Sequence, residues 1–132
     1  MNNKTDSNPC PCQSNKRFDH CCQPCIERSI NAPTAEALMR SRYTAFVMLD
    51  EEYLRYSWHP DTCPKHISLN PDTQWLGLKI KRTVDGREHD RTGEVEFIAR
   101  NRYNGKASRI HEKSRFIRHQ QRWVYLDGDF PG

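Results

Sequence analysis

With 132 residues, 35% hydrophobic and 29% charged, the chain can bury one core of modest size and carry at most a small appendage. Its formal charge of +4 implies no phosphate-tracking surface, because acidic and basic residues alternate in "DGREHDR" and "HEKSR", the pattern of solvated faces. The first twenty residues hold no apolar run fit for a signal peptide, and no later run approaches membrane-spanning length, so a soluble cytoplasmic protein with no membrane role is expected.

Residues 1–8 are polar and read as a disordered tail. The next stretch, "PCPCQSNKRFDHCC", holds four of the six cysteines. In a reducing compartment such a cluster points to metal ligands rather than disulfides. Cys10 and Cys12 form a C-x-C pair whose sulfurs share one side of an extended segment. Cys21 and Cys22, adjacent at the start of a helical turn, project about 100° apart and can reach the same ion. Two close pairs joined by an eight-residue loop suit Zn2+, which takes four soft ligands in a tetrahedron. Cys25 and His20 stand beside them as alternates for a place in the ligand set. Lys16 and Arg17, inside the loop, would offset the charge of four thiolates. The module is expected over 9–26. Cys63 lies far off in "DTCPKH" and reads as a lone loop thiol.

A second unit is expected over 31–132. Thr34 can cap a helix with Glu36 in its first turn, running to about Leu49. Asp50 can cap a shorter one, "EEYLRYSW", ended by His59-Pro60. Residues 60–73, with three prolines, read as a loop. The periodicity then changes from helical to alternating, with strands expected over 74–82, 93–101, 107–118 and 122–127. Asp85-Gly86 and Asn104-Gly105 read as turns. Helices followed by an antiparallel meander make an α+β fold, with the helices on one face of a curved sheet.

On a helical wheel, Ala35, Leu38, Met39, Ala45, Phe46 and Leu49 share one face, with Arg42 at its middle. A buried guanidinium needs a carboxylate or an anionic ligand. In "RIHEKSRFIR", Ile110, Glu112, Ser114 and Phe116 share the face expected to turn inward, and His111, Lys113 and Arg115 the other. An inward pair between Arg42 and Glu112 follows, with Ser114, Tyr43, Trp58 and Trp123 nearby. The pair is either a salt bridge between helix and sheet or the anchor of a pocket for a small polar or anionic ligand. His59 and His111 are the general-base candidates at hand, but the first ends a helix and the second faces out.

The cysteine spacing, with Ser14 and Phe18 inside the loop, resembles the SEC-C motif, the zinc module known from the tail of the SecA translocation ATPase. Together with "LMRSRYTAF", "YLRYSWHP", "WLGLKI", "GEVEFIARNR", "HEKSRF" and "RWVYLDG", the chain resembles the YchJ-like family of bacterial SEC-C proteins. The resemblance spans residues 9–128. It implies Cys10, Cys12, Cys21 and Cys22 as zinc ligands and a central domain of the nuclear-transport-factor-2-like fold, a cone of curved sheet closed by helices. It implies no activity. Longer members carry a second SEC-C motif at the C-terminus, whereas no cysteine follows Cys63.

Three functions compete on these terms. A zinc-stabilised interaction domain meeting a protein partner needs no catalytic residue. A small-molecule-binding protein or enzyme would use the cone interior around Arg42 and Glu112. Nucleic-acid binding through Lys113, Arg115, Arg118 and Arg122 is the weakest, since that cluster is short and belongs to no recognisable module.

Overall fold

The computed structural model describes residues 8–131. The tail expected over 1–8 therefore lies outside the described residues except for Asn8, whose carbonyl accepts from the Phe18 N–H at 2.9 Å. A 3-10 turn, Phe18–His20, leads into three helices, α1 (Cys22–Ile26), α2 (Ala35–Val47) and α3 (Glu51–Tyr56). Four strands follow: β1 (Gln74–Asp85), β2 (Thr92–Tyr103), β3 (Lys106–His119) and β4 (Arg122–Asp129). They pair antiparallel in the order β1-β2-β3-β4. This is the expected α+β architecture.

Local chemistry sets the element ends. The Thr34 hydroxyl accepts from the Ala37 N–H at 3.0 Å, and the Asp50 carboxylate from the Tyr53 N–H at 2.9 Å, so α2 and α3 each start with a side-chain cap. Helix α2 stops two residues before the expected end. Leu49 takes a positive φ of 58° and the chain reverses there, leaving its side chain exposed rather than on the core face. The strands run longer than expected because both tight hairpins keep pairing up to two-residue left-handed turns. One is Asn104-Gly105. The other is Gln120-Gln121, with φ of 53° and 71° at residues that give no turn signal. Register shifts in β1 and between β3 and β4 mark bulges that bend the sheet.

Alternation decides the faces. Strand β2 buries Val95, Phe97, Ala99 and Asn101 toward the helices, and β3 buries Glu112, Ser114 and Phe116. Ile110 shares the β3 inner face but is exposed, so the core does not reach it. Helix α3 is sewn to the free edge of β4 by a parallel bridge between Trp58 and Tyr125 and by the Tyr125 N–H donating to Ser57 O at 2.8 Å. At the other end of α2, the Ala35 N–H donates to Gly86 O at 2.9 Å. Gly86 has φ of 77°, and a Cβ there would lie 2.8 Å from that of Ala35.

Leu38, Leu54, Phe97, Phe116 and Trp123 form one buried cluster with Cys10, Cys12, Cys22, Cys25 and Ile26. The cysteine segment and the helix–sheet body thus share a single core. Burial on two sides explains why α2 hides Ser41, Thr44 and Arg42 as well as its apolar residues.

Candidate metal centre and the buried arginine

The segment 9–17 folds as a knuckle. Pro9 bridges Arg17, the Cys10 N–H donates to Lys16 O at 2.9 Å, and the Gln13 N–H returns to Cys10 O at 3.0 Å. Cys10 and Cys12 come off this knuckle, while Cys21 immediately precedes α1 and Cys22 opens it. The four sulfurs lie within 4.8 Å of one another. Two of the separations are 3.6 Å for Cys12–Cys21 and 4.0 Å for Cys21–Cys22. Sulfurs at about 2.3 Å from a central ion, at the corners of a tetrahedron, would stand about 3.8 Å apart, so the donor set fits a four-thiolate metal ion. Cys25 is buried nearby but outside this group, and the His20 ring lies 3.9 Å from Asp19 with its side chain largely exposed.

Charge in the cluster is unevenly held. Hydrogen bonds from Cys10 and Cys22, with smaller help from Ser14 and Arg40, hold Cys12 far below the ordinary thiol range. Burial pushes Cys21 up to about 11, and hydrogen bonding to Cys10 and Cys12 raises Cys22. A cation bound among the four sulfurs would balance the charge of their thiolates.

The charge supplied by the protein comes from α2. Arg40 Nη1 donates to Cys12 O at 2.9 Å and lies 3.8 Å from Cys12 Sγ, while its Nε holds Glu36 at 3.0 Å. Thr44 Oγ1 is 3.8 Å from Cys10 Sγ, and Ser14 Oγ is 3.1 Å from Cys21 Sγ. Arg17, expected with Lys16 to offset the thiolate charge, makes an ion pair with Asp19 at 2.8 Å. Arg40 is not legible in the sequence, because nothing in the helix pattern says which residue faces the knuckle.

The inward arginine is present but its expected partner is not. Arg42 is only 4% exposed, yet no salt bridge joins it to Glu112. Its Nη1 donates to Leu54 O at 2.9 Å and to Ser57 Oγ at 2.7 Å, so the guanidinium caps the C-terminal end of α3. Its Cζ lies over the Trp58 and Tyr125 rings, 4.7 and 4.8 Å from their centroids. The Tyr125 hydroxyl donates to Glu112 Oε2 at 2.6 Å. Tyr125 therefore stands between the two charges, a residue the wheel and the strand alternation could not supply. Burial draws Arg42 down to about 10, leaving it charged at neutral pH, and burial followed by the bond to Glu112 raises Tyr125, keeping its proton in place. Gly128 makes room for the carboxylate, since a Cβ there would overlap Glu112.

The other candidates disperse. Tyr43 packs edge-on against Trp75, with ring centroids 5.7 Å apart. Trp123 Nε1 donates to Pro33 O at 3.3 Å, and Arg118 lies 4.2 Å over its ring. The Ser114 hydroxyl is buried with no hydrogen-bond partner among the described residues. His59 Nδ1 accepts from the Asp61 N–H at 3.0 Å, and His111 faces out, 2.7 Å from Glu96. Arg55 holds Cys63 Sγ at 3.7 Å. Of the outer basic cluster, Arg115 pairs with Asp127 and Asp129, Arg118 donates to backbone carbonyls, and Arg122 Nη2 donates to Tyr56 O. Three of its four cations are thus engaged within the chain. The core on this side of the sheet holds Leu54, Phe116 and Trp123, each at most 1% exposed.

Comparison with known proteins agrees with this geometry. Residues 34–128 match the family model described as the YchJ middle NTF2-like domain, and residues 7–24 match the SEC-C motif. A UPF0225 protein of Cupriavidus pinatubonensis is 43% identical, covering 94% of this chain and 90% of that protein. One of Bordetella pertussis is 45% identical over 96% and 97%. The solution structure of a SEC-C motif containing protein from Rhodopseudomonas palustris superposes with a TM-score of 0.81 at 32% identity, over 94% of this chain and 99% of that one. A crystal structure of one from Psychrobacter arcticus gives 0.74 at 27%, over 95% and 84%. No helix among the described residues is long and apolar enough to cross a membrane.

Proposed function

Because the chain belongs to the YchJ-like family of SEC-C motif proteins, we propose that it is a zinc-stabilised protein-interaction domain. Cys10, Cys12, Cys21 and Cys22 would hold the ion. Zn2+ suits four thiolates in a tetrahedron and supplies a cross-link rather than redox chemistry there. The chain's own contribution is to hold those sulfurs together with the knuckle and α1, to set Arg40 against Cys12, and to support Cys10 from Thr44. Such outer contacts fix ligand orientation and charge.

The observation that carries the interaction reading is the filled interior. An inner chamber suited to a ligand is replaced by Phe116, Trp123 and a guanidinium lying over two mutually packed rings, and a solid core leaves surfaces to act. The second reading, a small-molecule site around Arg42 and Glu112, loses support because Arg42 is buried and its Nη1 already donates to Leu54 O and Ser57 Oγ. A photo-crosslinking residue placed at exposed Lys16 tests the proposal in cells. The expected result is a discrete protein adduct that disappears when Cys12→Ser is added. Absence of any protein adduct from the metal-loaded chain would count against it.

A further inference from the structure

Exposed strand faces usually offset charge across neighbouring strands, since like charges directly opposite one another destabilise a sheet. One end of the outer face obeys this rule. Glu96 lies between Arg82 and Lys113, and Glu94 is opposite Arg115. The other end breaks it: Arg100 faces Arg109 directly across β2 and β3, and Lys79 and Lys81 come from β1 beside them. Among the described residues, none of these four cations makes an ion pair or hydrogen bond. They line a cleft of about 580 Å³. Arg100 is paired on its other side with Gly77, which has no side chain to fill the trough, and Ile98, opposite Lys79, supplies an apolar contact. Gln13 closes one wall, its amide donating to Leu76 O at 3.4 Å, so the cleft abuts the cysteine knuckle.

We propose that this cleft binds an acidic, extended segment of a protein partner. The inference rests on the interaction reading above and names the surface and its complement. Four uncompensated cations with no acid among the cleft residues call for anionic charge. Cations on adjacent strands stand about 5 Å apart and those two positions along a strand about 7 Å, distances that carboxylates on alternate residues of an extended peptide can match. Nucleic acid fits less well. No aromatic residue lines the cleft to stack a base, and four cations span only a short length of phosphate backbone.

The test uses the zinc-loaded full chain and fluorescence anisotropy at low salt, with a labelled ten-residue polyglutamate, a Gly-Ser peptide of equal length and a ten-nucleotide oligothymidine. Polyglutamate is expected to bind most tightly. Arg109→Gln should weaken it about threefold, and Arg100→Glu about tenfold. Because Arg100→Glu replaces a repulsive cross-strand pair with an attractive one, Tm should rise by about 1–3 °C while binding falls, a combination that misfolding cannot imitate. Lys113→Gln, at the balanced end, should leave binding unchanged. Polyglutamate that fails to bind, or that binds Arg100→Glu as well as the parent, overturns the inference, and so does tighter binding of the oligonucleotide. An absent Lys16 adduct with this pattern intact would contradict the proposed function alone, whereas a Lys16 adduct with polyglutamate insensitive to Arg100→Glu would remove this inference alone.

Discussion

Replacing Tyr125 by Phe isolates the contact that takes the place of a salt bridge in the core. The ring would remain under Arg42 and against Trp58 and Phe116, while the 2.6 Å bond to Glu112 would be lost. A hydrogen bond to a carboxylate contributes about 1.5–3 kcal/mol, more when its loss leaves a buried acceptor unpartnered. Tyr125→Phe should therefore cost about 2 kcal/mol. Glu112→Gln should cost less, about 1 kcal/mol, because the amide oxygen can still accept from Tyr125. Had Arg42 and Glu112 been a buried ion pair, Glu112→Gln would strand a guanidinium and cost about 3–5 kcal/mol. Urea unfolding of the zinc-loaded protein, followed by tryptophan fluorescence and circular dichroism, measures these differences if the two probes coincide. A double-mutant cycle of Arg42→Met with Glu112→Gln should give a coupling under about 1 kcal/mol, since a ring separates the charges. A coupling above about 2 kcal/mol, or a Tyr125→Phe protein as stable as the parent, would refute the bridged arrangement.

Two further outcomes are expected. Arg40→Met removes the cation beside Cys12 and should lower zinc affinity about tenfold or more in chelator competition, as loss of an orienting contact does; unchanged affinity would leave Arg40 only a packing role. His111 lowers the pKa of Glu96 below its ordinary 4.5, so this pair's contribution is present above 4.5 and is lost as pH falls through the lowered value. Carboxyl carbon NMR should show Glu96 titrating below 4.5 in the parent and higher in His111→Gln, and identical midpoints would mean that the two side chains do not interact in solution.

Much of this was legible from local pattern. Thr34 and Asp50 announce the two caps, the change from helical to alternating period announces the meander, and the spacing of Cys10, Cys12, Cys21 and Cys22 announces the cluster. What the residues could not announce lies in contacts between elements. The wheel puts Arg42 inside, but a helix wheel carries no information about the end of α3, whose carbonyl at Leu54 takes the guanidinium. Strand alternation turns Glu112 inward without locating the β3–β4 register shift, next to which Tyr125 pairs with Phe116. Gln120-Gln121 bend without glycine or asparagine because paired strands on both sides impose the left-handed turn. The unbalanced Arg100–Arg109 end emerges only when β2 and β3 are aligned residue by residue.

The zinc ion proposed at Cys10, Cys12, Cys21 and Cys22 would be held by four thiolates that belong to the same core as the sheet. X-ray absorption at the zinc edge, on freshly purified reduced protein of known metal content, reads its ligands. The expected result is about one zinc per chain with four sulfur neighbours at about 2.3 Å and no nitrogen or oxygen in the first shell, unchanged in Cys25→Ser and reduced to three sulfurs or lost in Cys12→Ser. Protein free of metal, a histidine nitrogen in the shell, or a sulfur lost on changing Cys25 would contradict it.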